Sequence, residues 1–306
     1  YGNLDDDTSP GTPSHKMPSF MKLQDEAMQI PEVREELAKA NFERLKDRFD
    51  DPDEDYDWVG QLTCNKNGKF DNTINNVQLI MEHDAGLRGK YFYDTFKERM
   101  TVCGDLPWCK LADRMTTTWT DTDDAGLRNF LEIKYEIVNT MKIGDAVLLA
   151  MQSCMRHPVR EYLLNLKWDG VARADTIFID YLGAEDTEYT RTVTRKALIG
   201  TITFSSLSAP GLSQVYDLAK LGKSWFSDSF YTVQGKEAYE QIQGFWLIEM
   251  GEMAATRKAE LESIKQFVSK QSDSYRAAYA KRTQEHPRQC AFFGTTNNDE
   301  FLRDAT

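Results

Sequence analysis

Two short apolar runs, Phe245-Trp-Leu-Ile248 and Cys290-Ala-Phe-Phe293, each stop abruptly at polar residues, and this pairing restricts the fold more than any other feature. The first gives way to Glu249-Met-Gly-Glu252 and the second to Gly294-Thr-Thr-Asn297. Short apolar runs bounded in this way suit strands buried on both faces of a parallel sheet. Between them, Leu261, Ile264 and Val268 mark one face of a helix, with Lys265 off it. Ligands of such sheets sit outside the carboxyl ends of the strands. Two carboxylates and an amide delivered to that edge make a candidate metal-nucleotide site. A carboxylate just after a buried strand is also a common helix cap, and Glu252 is open to that reading.

The segment before the second run interleaves aromatics with cations: Tyr275, Arg276, Tyr279, Lys281 and Arg282. Residues 253–288 hold eight Lys and Arg against four acids, although the whole chain carries a net charge of −12. A local basic zone on an acidic protein can face phosphates, and its aromatics can stack on bases. Spacing alone fits a solvated basic face with two core tyrosines equally well. Residues 1–60 show the opposite bias, with sixteen Asp and Glu against seven Lys and Arg.

At 306 residues and 41% apolar, the chain is long enough for two domains with ordinary cores. It holds no apolar run of membrane-spanning length, and its start lacks the basic and apolar stretches of a signal peptide. Five scattered cysteines fit reduced thiols in a cytoplasmic protein better than a disulfide framework. His286 and Cys290 stand four apart, but one such pair is a weak sign of zinc, and the expectation is that Cys290 packs in its strand.

Residues 1–20 read as a flexible leader, 21–140 as a small α+β domain, 141–211 as a helical connecting region and 212–306 as the α/β core. Pro31 opens an amphipathic helix carrying Val33, Leu37 and Leu45, and Phe49 continues the same spacing. Asn65-Lys-Asn-Gly68 signals a hairpin, and Asn72-Thr73 caps a helix reaching His83. Lys90 to Tyr93 suits a strand, followed by a short helical continuation over Phe96–Met100. Thr120 or Asp121 caps a helix carrying Leu127, Phe130, Leu131 and Tyr135. Further helices are expected from near Lys142, from Val159 to Leu166 and from Thr187 to Leu207, with His157-Pro158 interrupting the first two. Gly222-Lys-Ser224 invites assignment as a phosphate loop. Asp217 stands where that loop needs its first glycine, and Val215, Leu218 and Leu221 are spaced as in a helix, so the assignment fails.

The run from His157 to Gly170, then Arg173 and Asp180-Tyr-Leu-Gly183, resembles the virulence-associated protein E family. So do Glu249-Met-Gly-Glu252, Ser272-Asp-Ser-Tyr-Arg276, Tyr279, Lys281-Arg282 and Gly294-Thr-Thr-Asn297. The resemblance implies an α/β P-loop NTPase core of the AAA+ type with a parallel sheet, preceded by α+β and helical regions. It implies a superfamily 3-like DNA helicase of phage or mobile-element replication, hydrolysing ATP with Mg²⁺ and assembling as a ring or other homo-oligomer. In that pattern Glu249 holds Mg²⁺, Glu252 orients the attacking water and Asn297 senses the γ-phosphate. Thr295 and Thr296 are supporting donors, and Arg303 is a candidate trans-acting arginine. Lys265, Tyr275, Arg276, Tyr279, Lys281 and Arg282 contact single-stranded or forked DNA, most of them from a projecting hairpin. The family carries its phosphate loop after a Pro-Gly pair. Here Pro210-Gly211 runs straight into Leu212, so the loop is expected to belong between residues 211 and 212. The alternatives are a replication initiator that binds DNA without hydrolysis and a primase-linked module using residues 55–140. The latter needs metal-binding carboxylates, for which only Asp121, Asp123 and Asp124 cluster.

Overall fold

The computed structural model describes residues 26–49, 56–204, 225–250, 258–275 and 283–294. The chain divides into two compact units, Tyr1–Tyr91 with Val102–Ser153 and Phe92–Thr101 with Cys154–Thr306.

In the first unit, α1 (Pro31–Leu45) begins with proline in its first turn, where a missing N–H costs nothing. Its buried side is Ala38, Asn41 and Leu45, while Val33 and Leu37 are only half-buried. α2 (Ile74–His83) is capped as expected by Thr73, whose hydroxyl accepts from the Asn76 N–H at 3.2 Å. Asn76 is fully buried, and its amide exchanges bonds of 2.9 and 2.8 Å with the Thr63 backbone and donates to Asp71 O at 3.0 Å. One buried amide thereby anchors the expected hairpin, which is closed by a Cys64–Phe70 bridge and turns at Gly68 with φ +71°. α2 packs on α4 (Thr140–Ser153), and Val77, Ile80, Leu127, Leu131, Ala146 and Ala150 form the centre of this core.

α3 (Asp121–Tyr135) starts at Thr120, whose N–H and hydroxyl donate to the Asp123 carboxylate at 2.8 and 3.0 Å. Asp123 is buried and also receives the Arg114 guanidinium at 2.6 and 2.7 Å and the Trp108 indole N–H at 3.0 Å. Burial pushes this carboxyl up, but the bonds from Arg114, Trp108 and Thr120 outweigh it and hold the pKa at about 2. With an unfolded value near ~3.9, the stabilisation is complete above pH ~4 and is lost as pH falls toward ~2. Between pH 5 and 2 the native chain should therefore lose roughly 2 kcal/mol more than Asp123→Asn, read from urea unfolding at each pH. Asp124 is likewise engaged, by the Trp119 indole at 2.8 Å.

The second unit takes β1 (Tyr91–Asp94) from Phe92 and β2 (Arg99–Val102) up to Thr101, and β1 lies between β2 and β3 (Met155–Arg156). β3 runs parallel to β1, with Tyr93 opposite Met155. The helix expected over Phe96–Met100 does not form. Asp94, buried, accepts from the Phe96 and Lys97 N–H groups at 2.9 and 3.0 Å and folds the chain into a turn. Glu98 completes that turn at φ +52°, and the chain returns as β2. A side chain that satisfies two backbone donors competes with the helix that would use them. β3 has only two residues, too few to show a period, and it separates α4 from α5 (Pro158–Asn165) where only a helix break was expected.

α5 is capped by His157, whose Nδ1 accepts from the Arg160 N–H at 3.1 Å. α6 (Ile177–Leu182) ends at Gly183 with φ +70°, and α7 (Glu188–Phe204) follows. Val159, Leu163, Leu198 and Phe96 close around the fully buried Trp246. A second sheet runs β4 (Phe226–Ser227), β5 (Leu247–Met250) and β8 (Ala291–Gly294), all parallel. α8 (Gly235–Ile242) joins β4 to β5, and α9 (Lys258–Val268) follows β5. β6 (Ser272–Tyr275) and β7 (Gln284–Pro287) pair antiparallel before β8. The fold is mixed α/β with small parallel and antiparallel sheets, and the two apolar runs are adjacent parallel strands as their sequences predict. Residues 211 and 212 lie outside the described residues.

Candidate functional site

The carboxyl ends of β5 and β8 form one edge. Leu247 to Met250 stand opposite Ala291 to Gly294, which brings Glu249 beside Phe293 and Met250 beside Gly294. Trp246 and Ile248 are fully buried and pin β5, while Glu249 is half-buried at its tip. Behind the strand, Gly244 turns the chain at φ +79°, and a Cβ there would come within 2.9 Å of the Lys97 side chain.

Of the residues assigned to ATP and Mg²⁺, only Glu249 falls within the described residues. Glu252, Thr295, Thr296, Asn297 and Arg303 lie outside them, as do Arg276, Tyr279, Lys281 and Arg282. In the sequence, Glu252 follows Met250 by two positions and Asn297 follows Gly294 by three. Lys265 is exposed on α9, with its ammonium 3.5 Å from Glu262.

Tyr275 ends β6. Its ring stacks on His286 with centroids 4.1 Å apart and lies parallel to Tyr239 at 5.6 Å. Burial, with Glu98 nearby, pushes its phenol well above the ordinary range. This tyrosine is part of the wall that carries the hairpin. His286 on β7 bonds Glu98 through Nδ1 at 2.7 Å and Tyr275 O through Nε2 at 3.3 Å. Gln243 donates to the same Glu98 at 3.2 Å. Cys290 is buried, and burial pushes its thiol to about 12, so both members of the four-residue His–Cys spacing have structural neighbours.

Two further residues fix the hairpin. Arg288, just past β7, makes a two-armed bond to Asp273 of β6 at 2.7 and 2.9 Å, and both side chains are about 2% exposed. The guanidinium also donates to Phe267 O at the end of α9 and lies 4.2 Å from the Phe267 ring centroid. α9, β6 and β7 thus meet on one cation. The sequence marks Arg288 only as one cation among eight. What would have singled it out is the strand register, which sets Asp273 opposite His286 and brings Arg288 within reach.

Residues 163–306 match the family model of the virulence-associated protein E-like domain. That match takes in α6, α7 and everything from β4 to β8, and it supports the virulence-associated protein E family for this part of the chain. No curated protein matches the chain. Among the described residues of this domain and of the rest of the chain, no helix is long and apolar enough to cross a membrane.

Proposed function

We propose that this chain is an ATP-dependent DNA translocase of the helicase type, serving the replication of a phage or mobile element. The observation that carries this reading is the parallel, in-register pairing of β5 with β8. It brings Glu249 to a strand tip beside the strand that continues in sequence to Asn297. A hydrated Mg²⁺ asks little of the protein, commonly one or two carboxylates beside the phosphates, and a half-buried strand-tip glutamate fits that need. Bound magnesium would neutralise charge on the transferring phosphoryl group, while Glu252 would hold the attacking water and accept its proton.

The second support is the β6–β7 pair. Its strands are locked by Asp273, His286 and Arg288, and the segment between them carries Arg276, Tyr279, Lys281 and Arg282. Cations in the sequence that joins two antiparallel strands would suit contact with a phosphate backbone. Of the three carboxylates that the primase-linked alternative needs, Asp123 and Asp124 are engaged by Arg114, Trp108, Thr120 and Trp119, which weighs against it.

The test is ATP hydrolysis by the full-length protein with and without single-stranded DNA. Turnover stimulated by DNA is expected. DNA binding with no turnover would instead leave a replication initiator. Replacing Lys281 and Arg282 by Ala should weaken binding to single strands and lower the slope of log affinity against log salt by about 1.4, at roughly 0.7 per lost phosphate contact. Unchanged binding across several salt concentrations removes the hairpin from the interface.

A further inference from the structure

The first compact unit contains a cleft of about 660 Å³ that the sheet-edge chemistry does not use. Its lining combines three aromatic residues, Tyr56, Trp108 and Phe130, with three lysines, Lys90, Lys110 and Lys134. The volume falls in the range of ordinary small-molecule sites, about 300–1,000 Å³.

Two features show that the wall is built rather than incidental. Lys134 is held by Asp84, a fully buried carboxylate 2.7 Å from its ammonium. Asp84 also accepts from the Tyr135 hydroxyl and, at 2.7 Å, from the Gly86 N–H. The same ammonium lies 4.6 and 5.4 Å from the Phe49 and Phe130 ring centroids. A lysine gripped by one bond still has two N–H donors, and this one lines the cleft. Trp108 is fixed as firmly. Its indole N–H is bonded to Asp123, and it lies so close to α3 that a Cβ on Gly126 would come within 2.4 Å of the ring. An immobilised indole and an immobilised ammonium lose little entropy on meeting a ligand.

The lysines of the lining offer N–H donors to an anion. Asp105 and Asp113 also line the cleft, but Asp105 already accepts the Leu111 N–H at 2.7 Å. Three lysines stand near Asp105 and Asp113, and Asp84 balances Lys134 from behind, so Lys90 and Lys110 are the cations that an anion would meet first. Flat apolar walls beside ammonium groups match a ligand that is planar at one end and phosphorylated at the other.

We propose that this cleft is a second binding site, taking a nucleotide phosphate together with its base. Lys90, Lys110 and Lys134 would meet the phosphate, and the aromatic wall would meet the base. The ligand could arrive as a free nucleotide or as one residue of a single strand. The proposal stands apart from the sheet-edge reading, because it needs neither a triphosphate nor magnesium.

The experiment is calorimetric titration of the full-length protein with thymidine monophosphate, adenosine monophosphate and a short oligodeoxythymidylate, all in EDTA. Saturable binding is expected, weakened about tenfold by Lys110→Glu and comparably by Lys90→Glu. Lys110 is exposed, so its reversal leaves the core intact, and circular dichroism checks both folds. Mononucleotide binding identifies a free nucleotide as the ligand. Binding of the oligomer alone, weakened by Lys110→Glu, identifies a strand. Absence of binding by all three probes, or binding that both charge reversals leave unchanged, overturns the proposal. So does oligomer binding that only the Lys281 and Arg282 replacements reduce. Loss of ATP turnover in Glu252→Gln has no bearing on this site, so the two readings fail separately.

Discussion

Asp273→Ala is expected to destabilise the β6–β7 pair and its junction with α9 by about 3–5 kcal/mol, the usual consequence of leaving one member of a buried ion pair alone. The Arg288 guanidinium is about 2% exposed, so water cannot replace the lost carboxylate without opening the structure. Its remaining bond to Phe267 O and its position over the Phe267 ring keep it inside. The double replacement Asp273→Ala with Arg288→Met should recover much of the loss, because the cost lies in the uncompensated charge and not in the absence of the pair. Hydrogen exchange of the β6, β7 and β8 amides measures this directly. A penalty below about 1 kcal/mol, or a double variant no better than the single, would show that the pair does not hold the hairpin. Because the cations of 276–282 continue from these strands, the single variant should also bind DNA more weakly than the double.

The residues that could be read in advance are those whose signal is local. Thr73 and Thr120 announce helix starts within one turn, and both cap as read. The apolar runs at 245–248 and 290–293 announce parallel strands buried on both faces; β5 and β8 do pair in parallel, but Ala291, Phe292 and Phe293 are only half-buried. What escaped reading depends on partners distant in sequence or on side chains acting against local propensity. Phe96–Met100 has helical spacing, yet Asp94 captures its N–H groups and forces a hairpin. Glu98 meets His286 across 188 positions, and Asp273 meets Arg288 across 15. Neither pairing leaves a trace in periodicity. Tyr275 illustrates the limit from the other side. An aromatic among cations reads as a base-stacking platform or as core, and only the neighbouring rings of His286 and Tyr239 show how it packs.

Glu252→Gln is expected to lower DNA-stimulated ATP turnover by roughly 10²–10⁴, the range a positioned general base contributes. The replacement keeps the size of the side chain and removes its ability to accept a proton. If Glu252 acts on water only as the reaction proceeds, kcat and kcat/KM should fall together with nucleotide affinity retained. Glu249→Gln should behave differently. A strand-tip carboxylate that holds the metal contributes to the ground state, so its loss should raise the magnesium and ATP concentrations needed for half-maximal rate. The competing assignment, Glu252 as a helix cap, makes a distinct claim. A lost cap costs about 1 kcal/mol of stability and leaves turnover within about threefold of the native rate. Turnover and unfolding measured on the same Gln variant therefore decide between a group that serves the reaction and one that serves the helix.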